Sequence, residues 1–507
     1  MWRWGSGQRI VIGASFAAFT MCCVLPIAYL LATTLGLDSA TYAALVLDSR
    51  QRGLLFNTAM LGTGTALFAT AIGAPLGVVL ARVPLRGKAV MRLVAAAPVL
   101  LPPYIVALAW TYAGNSRGLL AAILILSLTL YPLSMLATEV AMRRIDGRLE
   151  EAALIVAPPG RVLWRITLPL MAPAIVAAAL IIFVLAVSEF GVPGLLQVRV
   201  YTTEVFTAFA ALYDFGRAIV VAVPLLLLCV AVAALAAALL GDRLTASRRS
   251  VGVSPVTFSR WRRASTAAVV LVVAIAVAMP VLTLAVEALG VRSISAVAAG
   301  STEAIINSLL LAGVGATTVV AVAVWLAYAQ ARATRRFRLA AQIVLVVLFA
   351  VPSTVIGVGL IGLWNRPGPI GVLYGTDAMF MLVYLARFVP VDTLILAATI
   401  QTVSLSQEEA AAVSGAGWFR TLRVIVLPQL RVGIAAAWIV AFVLAFGELG
   451  ASILVAPPGE ATLPIRIYTI IANTPSSQVA ALALLQTAVI FTPVAALGAY
   501  AAIREVR

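Results

Sequence analysis

Long apolar runs are the feature that most constrains how this chain can fold. About twelve of them approach the roughly 20 residues that an α-helix needs to cross a bilayer. Of the 507 residues, 63% are hydrophobic and only 11% are charged, a composition that excludes a soluble domain. The runs are rich in Ala, Val and Leu and do not alternate with polar residues, which excludes a membrane β-barrel. We therefore predict an all-α integral membrane protein with about 12 transmembrane helices.

Basic residues lie in the short loops between the predicted spans. The formal net charge is +16, and the cluster at 82–92 recurs in the second half at 332–338. Such clusters mark the cytoplasmic side of a membrane protein. They place both termini in the cytoplasm, in a chain otherwise surrounded by membrane lipid. Because orientation accounts for the positive charge, we expect no nucleic-acid partner.

The second half of the chain repeats the first, and Asn57, for example, has a counterpart in Asn307. We divide the chain into a first half at 1–241, a basic cytoplasmic linker at 242–263 and a second half at 264–507. About six spans separate equivalent residues, so both copies have the same orientation in the membrane. The predicted architecture is therefore two parallel six-helix repeats.

A short polar segment recurs in the cytoplasmic loop before the fifth span of each half. In the second copy, Ser406 and Glu409 have the spacing of a capping box, which predicts a helix that ends at Gly415. A second short helix is predicted from Trp418, and both would lie on the cytoplasmic surface. A solvated loop with a helix cap is the alternative. In the first copy Arg148 stands where the cap is expected, so we favour a docking surface, where small alanines let a partner approach.

From residue 409 the chain reads Glu-Ala-Ala, three residues, Gly, nine residues, Ile, one residue and Leu-Pro. This pattern resembles the signature loop of bacterial ABC importer permeases. The second copy matches it at Glu409, Ala410, Ala411, Gly415, Ile425, Leu427 and Pro428. The first copy matches it at Glu151, Ala152, Ala153, Ile166, Leu168 and Pro169, with Ala157 in place of the glycine and Gly160 shortly after. The resemblance covers essentially the whole chain and implies the fold of a type I importer permease.

The resemblance also implies a division of labour between subunits. The coupling loops, at about 146–168 and 404–427, would each place a short helix in a groove of a separate ATPase subunit. Two ATPase copies would bind on the cytoplasmic side, and a soluble substrate-binding protein would bind on the outer side of the bacterial inner membrane. The chain contains no Gly-x-x-x-x-Gly-Lys-Ser/Thr phosphate loop. We therefore expect neither enzyme activity nor a cofactor in this chain, with ATP and Mg²⁺ held by the ATPase subunits.

Two glutamates and the prolines of the third spans are candidates for the translocation path or its gate. These candidate residues are Glu189, Glu448, Pro103, Tyr104 and Pro352. A carboxylate is costly inside a membrane, which suggests gating; the alternative is a helix-end residue satisfied by backbone and water. Pro103 and Pro352 are equivalent in the repeat, and prolines break the third span of each half. Such a break either opens a path or shapes the packing.

Only the resemblance to known permeases limits the choice of substrate. Residues 100–110 and 457–469 are similar to those of ferric-iron importer permeases, so iron(III) is the leading expectation. Permeases for thiamine, phosphonate, polyamines and oxyanions are similar too and stay open as alternatives. A secondary transporter driven by an ion gradient would favour charged residues at mid-membrane depth in several spans, and this chain has almost none. No histidine is present and the three cysteines lie in apolar runs, so no metal site is predicted.

Overall fold

The computed structural model describes residues 6–36, 49–240, 261–291 and 294–505. These residues form α-helices joined by short turns, and no β-strand occurs among them. The predicted linker at 242–263 lies outside the described residues except for its last three positions.

The helices of the two halves follow each other in the same order. The first half contains α1 Gly7–Leu35, α2 Ser49–Arg82, α3 Lys88–Leu100, α4 Pro103–Gly114, α5 Gly118–Arg143, α6 Gly147–Leu154, α7 Pro159–Ser188, α8 Gly191–Leu195, α9 Tyr201–Phe206 and α10 Phe215–Leu240. The second half contains α11 Arg262–Ala288, α12 Ile294–Ala299, α13 Thr302–Ala331, α14 Arg335–Phe349, α15 Ser353–Trp364, α16 Ala378–Ile400, α17 Leu405–Val413, α18 Trp418–Phe446, α19 Ser452–Val455, α20 Leu463–Ile470 and α21 Ser476–Glu505.

Ten of the described helices are long and apolar enough to cross a membrane, and two bent helix pairs bring the total to twelve. The pair α3–α4 is bent by 88° and the pair α14–α15 by 92°. In each half the second, fourth and fifth spans pack together: α2 with α5 and α7, and α13 with α16 and α18. The predicted all-α membrane fold with two parallel repeats is confirmed.

Each bend lies at a proline that precedes the second helix of the pair. Pro102 has a ψ of 125° before α4, and Pro352 has a ψ of 141° before α15, so both backbones are extended there. Proline lacks an N–H and therefore suits the start of a helix better than its interior. The counterpart of Pro352 is Pro102, and the prediction that paired Pro352 with Pro103 is wrong by one residue. Two consecutive prolines left that register ambiguous in the sequence.

The fifth span of each half begins within the predicted coupling loop and continues as one long apolar helix. The predicted separate surface helix at Trp418 is wrong, because that residue opens α18, which runs on through Pro428. A π-helical turn, Leu422–Val426, precedes this proline, and α7 has the same turn at Leu163–Thr167. The wider turn accommodates a residue that has no N–H for the helical ladder, so the helix continues where the sequence suggested an end.

The first span of each half packs against the other half. α1 lies against α13, α15 and α16 as well as α10 of its own half. α11 lies against α3, α4 and α5 as well as α21 of its own half. A β-carbon on Gly359 would lie 2.8 Å from the carbonyl oxygen of Pro26, so α15 and α1 are in close backbone contact. The guanidinium of Arg366 lies 5.3 Å from the ring centroid of Tyr29, a cation–π contact. The two halves of the sequence are therefore interlocked in space.

Candidate functional site

The short helices α6 and α17 occupy the predicted coupling loops. α6 follows Asp146, whose side chain accepts a hydrogen bond from the Arg148 N–H at 3.0 Å. α17 follows Ser404, whose hydroxyl lies 2.6 Å from the Ser406 hydroxyl and does not cap the helix. The predicted capping box of Ser406 and Glu409 is wrong, because the helix starts before both residues. The predicted lack of a cap in the first copy is wrong as well, because Asp146 precedes the position that the spacing pointed to.

The signature residues of both loops are accessible on the protein surface. Glu151 and Ala152 are exposed on α6, and Glu409 and Ala410 are exposed on α17. Between α17 and the start of α18 lies an open groove of ≈ 570 Å³. The groove is lined by Gln407, Ala410, Ala411, Ser414, Val424, Ile425, Pro428 and Gln429. The short side chains of Ala410, Ala411 and Ser414 leave a concave surface that another protein can approach closely.

Large apolar side chains are exposed at the ends of both coupling helices. Ile155 is 84% exposed and Val156 is 83% exposed after α6, and Val413 is 91% exposed at the end of α17. None of the three lies in a helix that is long and apolar enough to cross a membrane. Exposed apolar side chains outside the lipid-facing spans are consistent with a protein–protein contact site.

The two loops turn back toward the membrane by different means. Gly415 has a φ of +76°, in the left-handed region that favours glycine at the end of a helix. Its counterpart Ala157 does not adopt a positive φ. There Pro158 precedes α7 and sets its start, and Gly160 lies exposed in the first turn of that helix. The first loop therefore does not need a glycine where the signature has one.

The glutamate before each Glu-Ala-Ala triplet is buried in an ion pair that the sequence reasoning missed. Glu150 accepts a hydrogen bond from Nη2 of Arg82 at 2.7 Å, and Glu408 pairs with Arg332 in the same way. Both arginines lie at the C-terminal end of the second span of their half, where we attributed their charge to membrane orientation alone. The repeat itself carried the missing signal, because both acid and base recur at equivalent places.

Glu189 and Glu448 occupy equivalent turns at the ends of α7 and α18. The carboxylate of Glu189 accepts a hydrogen bond from the Gly191 N–H at 3.0 Å, and that of Glu448 accepts one from the Ala451 N–H at 2.9 Å. Glu448 also lies 3.1 Å from Nε of Arg387 on α16. Backbone groups thus satisfy both acids in part, as the helix-end alternative anticipated, and one acid has an arginine as well.

The glutamate turns and the helix bends meet in one layer between the halves, which we call the central layer. The turn of the second half meets the bend of the first: a β-carbon on Gly447 would lie 3.0 Å from the Pro102 side chain. The turn of the first half meets the bend of the second: the Ser188 hydroxyl donates to the carbonyl oxygen of Ala350 at 3.3 Å. The contacts are reciprocal, so each half closes against the other at the same place.

The remaining path candidates lie beside the central layer. Tyr104 is buried on α4, and its hydroxyl donates to the side chain of Gln486 on α21. Pro103 is half-buried at the start of α4, and Pro352 is buried just before α15. The structure therefore brings the candidates of both halves to one level of the protein.

An apolar cavity of ≈ 310 Å³ lies between spans of both halves, next to the central layer. α7 and α10 line one side of it, and α13, α14 and α16 line the other. It extends from Ala350 at the bend toward Gln330 near the C-terminal end of α13. The cavity therefore borders the central layer at Ala350.

Two interlocked parallel halves, each with a short exposed helix before its fifth span, define the permease component of a transporter. The chain belongs to the family described as the binding-protein-dependent transport system inner membrane component, which matches residues 73–244 and 319–504. Members are transport components of the inner membrane, so this chain is the multi-pass permease subunit of an ABC importer and not itself the ATPase. Both matched segments begin inside the second span, so the exchanged first spans lie outside them.

Several characterised or named permeases are similar to this chain. The Fe(3+)-transport system permease protein FbpB 2 of Haemophilus influenzae is 24% identical over 455 residues, 88% of this chain and 89% of that protein. The molybdenum transport system permease protein ModB of Mycobacterium bovis is 30% identical over 30% of this chain and 63% of its own length. The putative 2-aminoethylphosphonate transport system permease protein PhnV of Salmonella paratyphi A is 32% identical over 24% of this chain and 45% of its own length.

Proposed function

We propose that this permease imports iron(III). The observation that carries the proposal is the similarity to the Fe(3+) permease, which extends over 88% of this chain and so includes both halves. The molybdenum and phosphonate relatives match 30% and 24% of the chain. Among these three relatives, only the iron permease is therefore similar to this chain across both halves.

We further propose that two copies of an ATPase subunit, which hold ATP and Mg²⁺, bind α6 and α17 from the cytoplasm. The exposed triplets at Glu151 and Glu409, the groove beside α17 and the exposed Ile155 and Val413 support this partner. A helix end with accessible alanines suits close approach, and the apolar side chains supply contact area. The basic loops support an orientation with these helices and both termini in the cytoplasm.

A soluble binding protein would deliver the ion to the opposite face, at the outer segments 192–216 and 451–478. The central layer would be the gate that this delivery opens, with Glu189 and Glu448 beside the path. Their carboxylates are hard oxygen ligands of the kind that suits a small, highly charged cation in passage. The soluble binding protein would supply most of the selectivity for the substrate.

The test is uptake by proteoliposomes that contain this chain with its ATPase subunits and enclosed ATP. Binding protein loaded with labelled iron(III) is added outside. We expect iron to accumulate with ATP, to fail with a non-hydrolysable analogue, and to be unaffected by proton and sodium ionophores. Accumulation of molybdate or a phosphonate in place of iron would assign those substrates instead. Uptake that follows an ion gradient without ATP would contradict the importer mechanism.

A further inference from the structure

The second span of each half is fastened at both ends to the segments that face the two proposed partners. At the cytoplasmic end, Arg82 of α2 holds Glu150 of α6, and Arg332 after α13 holds Glu408 of α17. The two glutamates are 0% and 1% exposed. An ion pair that is buried in this way fixes the position of both partners, because separating them would leave a charge without compensation.

The outer ends carry a second, equally duplicated attachment. The hydroxyl of Thr58 on α2 accepts a hydrogen bond from the Tyr201 N–H, the first residue of α9, at 3.1 Å. The hydroxyl of Ser308 on α13 accepts one from the Leu463 N–H, the first residue of α20, at 2.6 Å. Both hydroxyls are buried, and each satisfies a backbone donor that a helix start would otherwise leave unpaired.

Neighbouring amides reinforce the outer attachments. The side chain of Asn57 donates to the carbonyl oxygen of Arg199 at 3.0 Å, and that of Asn307 donates to the Glu460 carboxylate at 2.7 Å. The partners differ between the halves while the donating asparagine stays at the same place. The inner attachments also keep the same glutamate while its neighbour differs between the halves. Glu150 accepts a further hydrogen bond from the Thr167 hydroxyl, and Glu408 accepts one from the Tyr328 hydroxyl.

Between their two attachments, α2 and α13 are single long helices. They contain 34 and 30 residues, and α2 continues as one helix through Pro75. The stretches from Thr58 to Arg82 and from Ser308 to Arg332 are about 36 Å long at the usual rise, which exceeds the hydrocarbon core. By contrast, α6 and α17 contain eight and nine residues and are too short to hold their positions alone. A displacement at either end is therefore transmitted along the long helix to the other end.

We propose that α2 and α13 are the rods that link the outer binding-protein face to the coupling helices, with Arg82–Glu150 and Arg332–Glu408 as the inner joints. The outer joints are Thr58 and Ser308. These are positioning residues, since none of them touches substrate. The inference rests on the proposed function, because it requires an ATPase inside and a binding protein outside.

The experiment measures how far loaded binding protein stimulates ATP hydrolysis by the complete complex in proteoliposomes. The outer-joint variant combines Thr58→Val with Ser308→Ala. We expect its basal hydrolysis to stay unchanged and its stimulation to fall about fivefold or more, the lower range of coupling between distant sites. The matched control combines Thr207→Val with Thr469→Val, which remove hydroxyls of the same outer segments that bond within their own helices. The control should keep full stimulation.

The inner joints are tested by charge exchange. The variant that combines Glu150→Gln with Glu408→Gln should lose stimulation. The variant that combines Arg82→Glu with Glu150→Arg exchanges the charges of the first pair and should restore part of the stimulation. Retained stimulation in a folded outer-joint variant would contradict the proposal that α2 and α13 link the two faces. If loaded binding protein does not stimulate hydrolysis by the unmutated complex, the proposed binding-protein mechanism fails and this inference fails with it. That outcome differs from retained stimulation in the variant, which contradicts this inference alone.

Discussion

Adjacent residues of the coupling helices have opposite environments. Glu151 and Glu409 are exposed, whereas Glu150 and Glu408 are buried, because neighbouring side chains point to different faces of a helix. The duplicated Glu-Ala-Ala triplet was enough to predict an exposed helical loop before the fifth span of each half. The triplet alone could not predict the ion pairs, because 68 residues separate Arg82 from Glu150 and only the recurrence of both residues in the second half connects them. An arginine at a span end also serves membrane orientation equally well.

Gly415 should be the residue of its loop that least tolerates a side chain. Its φ of +76° makes Gly415→Ala cost roughly 1–2 kcal/mol in the left-handed conformation. An equilibrium shifted by that amount changes the population of the coupling-competent loop by about 5- to 30-fold. We expect less iron transported per ATP hydrolysed, with normal insertion into the membrane. Gly417→Ala is the control, because that glycine has a φ of −64° and open space around it. Equal loss in both variants would show that conformation is not the cause.

Single elements were predictable where one residue type dictates the backbone. The prolines predicted breaks in the third spans, and the structure has a bend of about a right angle in each. The bend angles were not predictable, because they depend on contacts such as Gly447 with Pro102 from the other half. The π-helical turns before Leu-Pro were missed for a related reason: proline signals a lost hydrogen bond, and the sequence does not say how the helix compensates.

The central layer is asymmetric in charge, which leads to a test of its elements. Arg387 stands three residues before Pro390, where the first half has Thr129 before Pro132, so only the second half contributes an arginine. Arg387→Thr would leave Glu448 buried without its ion pair, at a cost of about 3–5 kcal/mol. We expect a lower midpoint of thermal unfolding, followed by tryptophan fluorescence in detergent.

Removing both partners provides the matched comparison. Arg387→Thr with Glu448→Gln should recover most of the lost stability, because a pair replaced as a whole leaves no uncompensated charge. A double variant as unstable as the single one would mean that Arg387 acts through packing and not through its charge. Iron uptake by the double variant then reports whether the ion pair also serves the path.

At the scale of the molecule, the parallel repeat was predictable and the exchange of first spans was not. Equivalent residues and basic loops repeat along the chain, so the number and direction of spans follow from the sequence. α1 and α11 give no sign of their partners, because their apolar residues suit lipid or protein contact equally well. Pro26 of the first half contacts Gly359 of the second half, and only the structure shows this contact.

The exchange predicts that the halves stay together after the chain is cut. A protease site inserted between residues 245 and 255 allows cleavage of the folded protein, and we expect both fragments to copurify through an affinity tag on one of them. Gly359→Val should weaken this association, because a β-carbon there would lie 2.8 Å from the Pro26 carbonyl, an overpacking that costs about 1–3 kcal/mol. Gly313→Val is the control, since that glycine of α13 has open space around it. Fragments that separate in the unmutated protein would contradict the interlocked arrangement, whereas separation confined to Gly359→Val would locate the association in the contact between α1 and α15.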